Sequence, residues 1–162
     1  MSDEREVACV LVALHDRQLL LPNVTVAEVV RMQRIQAVGN APDWLLGMTS
    51  WRGKVIPVLS PEHVLADRGD PEPPPRTPSC SLLVMNRSRG LDGLEFYVLL
   101  ARAMPRMLWV AAEDLRVVDG PLGAAEAAKL RLGQDEVTVP RLPYFEELVV
   151  QNRLTPGLRR KA

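Results

Sequence analysis

Short apolar runs, each ended by turn-forming residues, recur along the whole chain. Residues 7–14 and 19–22 are the first two runs, and the polar gap at residues 15–18 between them predicts a β-hairpin. About nine or ten such runs can be traced, and each is too short for a long helix. This spacing predicts an all-β protein built from small barrels, with a few short helices.

A second hairpin is visible in the middle of the chain. Residues 48–51 and 55–59 have an extended pattern, and residues 52–54 between them form a tight turn. A brief helix is expected just before these strands, with Gly47 as its end. Residues 19–59 are therefore expected to form most of one barrel.

A Pro-rich and charged stretch, residues 67–78, divides the chain into two halves. It carries too little apolar surface to fold alone, so we expect an exposed loop. Each half ends in a short predicted helix with Pro near its start, at residues 61–65 and 143–149, which indicates two similar subdomains. Residues 124–132 (AAEAAKLRL) have helical composition, and propensity alone predicts a helix there.

Charge and composition restrict the classes of partner. Lys plus Arg and Asp plus Glu both count 20, and aromatic residues make up only 4%, so neither property favours nucleic-acid binding. Residues 1–6 and the basic tail at residues 151–162 are expected to be flexible, which leaves one domain at residues 7–150. No signal peptide and no apolar stretch of about 20 residues are visible, so we expect a cytoplasmic protein that does not insert into a membrane.

Motifs for catalysis are missing from the sequence. Phosphate-binding glycine loops and a nucleophile elbow are absent, and the two His residues are isolated. Cys9 and Cys80 show no metal-ligand spacing and are expected to be reduced and partly buried. Four acidic pairs are expected to be solvated charges, at residues 3–4, 113–114, 135–136 and 146–147. The sequence therefore predicts no enzyme, no cofactor and no metal site.

Glu28 stands in an otherwise apolar predicted strand, two residues after Val26. A carboxylate in such a place needs a charged partner or water. Arg52, at the start of the hairpin turn, is a candidate partner with a bidentate fork, and the alternative is two independent exposed charges. Trp44 is expected in the core, whereas Trp51 is either a core residue or a partner-facing aromatic anchor.

These features together resemble the CheW family of chemotaxis coupling proteins. The resemblance extends over about residues 7–150 and is most specific in its first part. The segments that carry it are RQ at 17–18, LLP at 20–22, VAEV at 26–29, Pro42, Gly47 and RGKVIPV at 52–58. The chain departs from the usual pattern at Ser50, Trp51 and Ser60, and it looks most like the divergent single-domain members of pilus-motility systems.

The resemblance implies a definite fold and no catalysis. The family's fold consists of two small five-stranded SH3-like β-barrel subdomains that share an apolar core. Its members have no enzymatic activity and use no cofactor. The resemblance also implies a strand at residues 129–132, in place of the later part of the helix that propensity predicts.

The family's partners are implied in the same way. Its members bridge the cytoplasmic tip of a chemoreceptor to the regulatory domain of a histidine kinase. By matching position, Val26 and Glu28 fall in the receptor-facing region of the family. Gly47 falls where kinase coupling is sensitive, and Arg52 is the usual ion-pair partner of the Glu.

The resulting prediction is a non-catalytic chemosensory adaptor. It would couple methyl-accepting receptors to a CheA-type histidine kinase in chemotaxis or pilus-motility signalling, in the cytoplasm and within a receptor array. The alternative is a β-barrel module that binds nucleic acid through the basic C-terminal tail, which carries four of the chain's Lys and Arg residues, at positions 153, 159, 160 and 161.

Overall fold

The computed structural model describes residues 6–66, 71–87 and 94–152. Of the segments predicted to be flexible, residues 1–5 and 153–162 lie outside this range, and so do residues 67–70 of the Pro-rich loop. The strands are β1 (Glu6–Ala13), β2 (Gln18–Pro22), β3 (Val26–Arg31), β4 (Leu45–Trp51), β5 (Lys54–Leu59), β6 (Ser81–Asn86), β7 (Phe96–Ala101), β8 (Arg106–Ala111), β9 (Leu115–Val117), β10 (Glu126–Leu132) and β11 (Asp135–Pro140). The α-helices are α1 (Pro61–Val64) and α2 (Leu142–Gln151), and 3-10 turns cover Asn23–Thr25 and Ala112–Asp114.

The strands form two sheets. One has the order β8-β1-β2-β11-β10-β9 and the other has the order β3-β6-β7-β5-β4. The prediction of an all-β fold with two small SH3-like barrel subdomains is confirmed. One sheet has six strands where five were expected, because the three-residue strand β9 pairs with the end of β10.

The sheets do not follow the two halves of the sequence, so the division at the Pro-rich loop is wrong. The β1–β2 hairpin pairs with strands from the C-terminal half, β8 on one side and β11 on the other. Strands β3, β4 and β5 share their sheet with β6 and β7, which follow the loop. Residues 19–59 therefore contribute to both barrels, because β2 belongs to the six-stranded sheet.

Local predictions are confirmed where turn chemistry is strong. In the β1–β2 hairpin, Leu11 lies opposite Leu20. Ser60 caps α1, since its side chain accepts a hydrogen bond from the His63 backbone N–H. The brief helix predicted just before Gly47 is wrong. The Leu45 N–H donates to the Pro42 carbonyl at 3.0 Å in a single turn, and β4 then starts at once because it pairs with β5.

The Ala-rich segment is the clearest failure of propensity. Residues 126–132 form β10, which is hydrogen-bonded to β9 on one side and to β11 on the other. The helix predicted from composition is therefore wrong, and the strand implied by the family resemblance at residues 129–132 is confirmed. Helix propensities of these residues differ by less than about 1 kcal/mol each, and such a weak preference is overridden by tertiary context, here the pairing with two strands.

A shared apolar core joins the two subdomains. It contains Leu19 and Leu21 of β2, Leu83 of β6, Tyr97 of β7 and Phe145 of α2, all at most 1% exposed. Two smaller clusters fill the individual barrels, one around Val58 and Leu82 and the other around Leu11 and Val110. The relative position of the two barrels is therefore set by a continuous core, which holds the surface sites in place.

Candidate partner-binding surface

The five-stranded sheet closes into a barrel where the chain after β3 meets β4. Gln36 and Met48 exchange two backbone hydrogen bonds, each of 2.8 Å. The Gln33 side-chain amide donates to Thr49 Oγ1 at 2.7 Å and to the Ser50 carbonyl at 2.6 Å. We call this line of contacts the seam. It covers the free edge of β4 with side chains and one bridge, which protects that edge from pairing with another strand.

Glu28 reaches the β4–β5 turn at the seam. Its Oε1 accepts a 2.9 Å hydrogen bond from Arg52 Nη2 and a 3.1 Å hydrogen bond from Trp51 Nε1. The Arg52 guanidinium carbon lies 5.0 Å from the centroid of the Trp51 ring, and that ring packs edge-on against Phe96. The predicted Glu28–Arg52 ion pair is confirmed. We call Glu28, Trp51 and Arg52 the seam cluster.

The seam cluster is partly exposed, so its ion pair contributes little to the stability of the fold. Its main effect is to hold the Trp51 and Arg52 side chains in one orientation. The Arg52 side chain is 70% exposed and the Glu28 side chain is 38% exposed. Pairs in such surroundings contribute about 0–1 kcal/mol. Trp51 was predicted to be either a core residue or a partner-facing anchor. It is half-buried and packs on the barrel core, so it combines both: part of the ring is buried and the rest is exposed.

Gly47 lies inside β4 at a bulge, where its φ is +146°. A Cβ at this position would overlap the Gln36 carbonyl oxygen and would lie 2.9 Å from Ile35 Cγ2. Gly47 is buried, so any influence on a partner has to pass through the seam. A side chain here would push β4 away from the chain that follows β3.

Val26 begins β3, two residues before Glu28. It lies opposite Met85 of β6 and packs, half-buried, against the shared core. The 3-10 turn before it presents Val24, which is 82% exposed. The structure thus places Val26 and Glu28 on one strand, with Val26 at the core that joins the subdomains and Glu28 at the seam.

An exposed apolar strip on β8 is a feature that the sequence predictions missed. Met107 is 64% exposed and Trp109 is 67% exposed. Met107 lies opposite Val10 of β1, and Trp109 lies opposite Ala8, so both side chains are on the same sheet face as Val10. Val10 belongs to the shared core, which Val26 also contacts. The strip therefore lies on the edge strand β8, on the sheet face that carries Val10. The sequence signal for this strip was the position of Met107 and Trp109 two residues apart, which puts them on one face of a strand, opposite to Leu108 and buried Val110.

Two buried carboxylates hold the β1–β2 turn against its surroundings. Glu62 of α1 accepts two hydrogen bonds from Arg102, of 2.7 and 2.8 Å, and one from the His15 backbone N–H at 3.2 Å. The hydrogen bond with Glu62 is the main cause that raises the pKa of Arg102. Glu126 of β10 accepts a 2.8 Å hydrogen bond from Arg17. The first contact ties the five-stranded subdomain to the hairpin of the other one.

Glu146 corrects the prediction that the acidic pairs are solvated. This residue of α2 is fully buried, and its Oε2 accepts a 3.0 Å hydrogen bond from the Tyr97 hydroxyl. Burial, followed by the charge of Glu146 and the hydrogen bond to it, raises the pKa of Tyr97 well above its usual range. The pair joins α2 to β7 within the shared core, so we assign it a structural role that is separate from the seam.

The described residues contain no cluster of His, Cys, Asp and Glu side chains that could hold a metal ion. Cys9 and Cys80 are free, and both are buried where partial burial was predicted. Burial raises the pKa of the Cys9 thiol. Within the same part of the chain, no helix is long and apolar enough to cross a membrane.

Two small β-barrels with an exposed apolar strip on an edge strand are typical of a protein-binding module. The model of the CheW-like domain family matches residues 8–138, and the chain belongs to this family. Its fold is similar to the crystal structure of the scaffolding protein TtCheW from Thermoanaerobacter tengcongensis, with a TM-score of 0.66 and 17% identity over 84% of each chain. No curated protein matches the sequence. Family membership places the chain among the scaffold and adaptor proteins of chemotaxis signalling.

Proposed function

We propose that this chain is a non-catalytic adaptor that couples methyl-accepting receptors to a CheA-type histidine kinase, in the cytoplasm and within a receptor array. The observation that carries the proposal is the exposed strip of Met107 and Trp109 on the edge strand β8. Met107 and Trp109 are neighbours on one face of β8, and contiguous exposed apolar patches mark sites of protein binding. The family supplies the kind of partner.

The receptor is proposed to bind along the strip and β3. A chemoreceptor tip is helical, and a helix can lay its apolar face against a groove lined by apolar side chains. Val26 packs against the shared core, and Trp109 lies on the sheet face that carries Val10 of that core. Trp109 and Met107 are the anchors in this proposal, because aromatic residues and Met are enriched at binding surfaces.

The kinase regulatory domain is proposed to bind at the seam. Trp51 and Arg52 stand at the exposed tip of the β4–β5 hairpin, and Glu28 holds both in one arrangement. Gly47 acts indirectly by allowing β4 to approach Gln36. Receptor and kinase then contact different parts of one rigid frame, so both can bind together. Each contact is modest in size, and the array strengthens it through multivalency.

Replacement of Trp109 tests the receptor site. Trp109→Ala is expected to weaken binding to a purified receptor cytoplasmic fragment by at least about tenfold, as truncation of an aromatic anchor does. Binding to the isolated kinase regulatory domain should stay unchanged. Isothermal titration with each purified partner measures both affinities.

Val117→Ala is the matched control, because Val117 is a 75% exposed apolar residue on β9, at the other edge of the same sheet. It should leave receptor binding at the wild-type level. If neither purified partner binds the wild-type chain, the adaptor function is wrong. If both bind and Trp109→Ala has no effect, the strip is not the receptor site.

A further inference from the structure

A recess lies beside the seam, between the chain that follows β3 and the β4–β5 hairpin. Its volume is about 360 Å³, which is within the range of small ligand pockets. Polar and apolar side chains from both segments line it, among them Gln33, Arg34, Gln36, Met48, Ser50 and Val55. The proposed adaptor function uses the seam cluster and gives this recess no role.

The backbone of Arg34 is fixed, whereas its guanidinium is free to bind. The Arg34 carbonyl accepts a 2.9 Å hydrogen bond from Thr49 Oγ1. The neighbouring Gln33 side chain donates to the same strand. Within the described residues, the Arg34 guanidinium makes no hydrogen bond and no ion pair. Its N–H groups are therefore available to a ligand in the recess.

Ser50 adds a backbone donor on the seam side of β4. Gln36 and Met48 exchange two backbone hydrogen bonds, so the backbone groups of Met48 point toward the seam. Peptide groups alternate sides along a strand, so those of Ser50, two residues further on, point the same way. The Ser50 carbonyl accepts from the Gln33 amide at 2.6 Å, as this alternation requires. The Ser50 N–H has no acceptor in the part of the chain that the structure describes, so it is open to a ligand.

The recess has an excess of hydrogen-bond donors and one positive charge. Arg34 is the one charged side chain among the described residues that line it. The Gln36 side-chain amide makes no hydrogen bond to another described residue, so its N–H groups are also available. Glu28 of the nearby seam cluster is already paired with Arg52. This set of groups suits an anion that accepts several hydrogen bonds.

Another part of the recess is apolar. Val55 lies opposite Ser50 in the hairpin and is 47% exposed. Met48 is half-buried and lines the same recess. Methylene groups gain free energy when they cover such side chains, and inorganic anions have none. The recess therefore favours a carboxylate on a short aliphatic stem, as in a Glu side chain.

We propose that this recess is a carboxylate-binding site, and that it takes a Glu side chain from a partner protein docked along the seam. Arg34 and the Ser50 N–H hold the carboxylate, while Met48 and Val55 contact the methylene groups. The occupant is a protein side chain because the recess adjoins the hairpin tip, where the kinase regulatory domain is proposed to bind. This choice of partner rests on the proposed function, whereas the carboxylate site rests on the geometry of the recess.

A titration of the full chain, labelled with nitrogen-15, tests the site directly. The probes are two blocked tripeptides, N-acetyl-Ala-Glu-Ala-amide and N-acetyl-Ala-Gln-Ala-amide. The Glu peptide should shift the Ser50 amide signal in a saturable manner and bind at least about fivefold more tightly than the Gln peptide. Absence of a saturable shift at Ser50, or equal affinity for the two peptides, would overturn the proposal.

Arg34→Gln should abolish the preference for the Glu peptide, because it removes the positive charge of the recess. Arg31→Gln is the matched control. It removes the same charge from an exposed residue at the end of β3 that is not part of the recess lining, so the preference should remain. Loss of the preference in both variants would show that the general charge of this surface, and not the recess, selects the Glu peptide.

The purified kinase regulatory domain tests the choice of partner. Arg34→Gln should weaken its binding by at least about fivefold and make the affinity less dependent on salt, whereas Arg31→Gln should bind like the wild type. If the chain binds the Glu peptide but not the kinase domain, the carboxylate site stands and the kinase assignment at the seam is wrong. If the kinase domain binds and Arg34→Gln has no effect, the kinase does not supply the Glu side chain, and that part of the proposal is overturned.

Discussion

At the scale of single residues, Gly47 is the described glycine whose surroundings leave no room for a Cβ. Its φ of +146° suits glycine, and the Gln36 carbonyl occupies the space that a Cβ needs. Family resemblance marked Gly47 as sensitive for kinase coupling, and the geometry supplies a mechanism for that proposal. A change at Gly47 would alter the spacing between β4 and the chain after β3, which supports the seam cluster.

Gly47→Ala is expected to lower the free energy of unfolding by about 2–5 kcal/mol, through backbone strain together with the overlap at Gln36. Gly120→Ala is the control, because Gly120 has a similar φ of +140° and a Cβ added there would meet no atom within 4 Å. In the control, the free energy of unfolding should fall only through backbone strain, by about 1–3 kcal/mol. Urea denaturation measures both. Equal losses would show that the Gln36 contact is unimportant.

At the scale of elements, the β1–β2 turn is held by charges that come from distant parts of the chain. Glu62 and Arg102 belong to the five-stranded subdomain and form an ion pair. The Glu62 carboxylate also accepts a hydrogen bond from the His15 backbone N–H in the turn. Side-chain exposure is 5% for Glu62 and 24% for Arg102. Removal of one partner from such a pair leaves a buried charge without compensation, which is far more costly than loss of a surface pair.

Arg102→Ala is therefore expected to lower the free energy of unfolding by about 3 kcal/mol, near the lower end for buried pairs because Arg102 keeps some solvent contact. Lys54→Ala removes one partner of the exposed Lys54–Glu95 pair and should cost less than about 1 kcal/mol. Chemical denaturation at low and high salt compares the two. A loss of the same small size in both variants would contradict a holding role for Glu62 and Arg102.

At the scale of the whole molecule, the shared core joins two sheets and α2 through residues from both ends of the chain. Leu19, Leu83 and Phe145 meet there although they are far apart in sequence. The buried Tyr97–Glu146 hydrogen bond is a polar contact within this core. It makes stability depend on pH, because the pKa of Tyr97 is raised in the folded state above its ordinary value of 10.0.

The sign of this dependence follows from proton binding. Above about pH 10 the unfolded chain releases the Tyr97 proton while the folded chain keeps it. The contribution of Tyr97 to stability should therefore be constant below that pH and fall above it, by up to about 1.4 kcal/mol per pH unit. Thermal unfolding between pH 8 and about 11.5 measures this slope. Tyr97→Phe should reduce it, whereas Tyr144→Phe, which keeps the Tyr97–Glu146 pair, should retain it.

The strand positions could be read from the sequence because apolar runs and turn residues act locally. The β1–β2 and β4–β5 hairpins, the Ser60 cap and helix α2 follow from such signals. The Glu28–Arg52 pair was also accessible, since a carboxylate in an apolar strand demands a partner. Resemblance to the CheW family then supplied the two-barrel fold.

Tertiary structure decided which strands became neighbours beyond the two hairpins, because local patterns contain no information on pairings between distant segments. Pairing of the β1–β2 hairpin with β8 and β11 divides the barrels differently from the Pro-rich loop. The same pairing turns an Ala-rich segment into β10, because two strand neighbours outweigh a weak helix preference. Burial of Glu146 and exposure of Trp109 were set by these distant contacts, since a residue's environment depends on what packs against it.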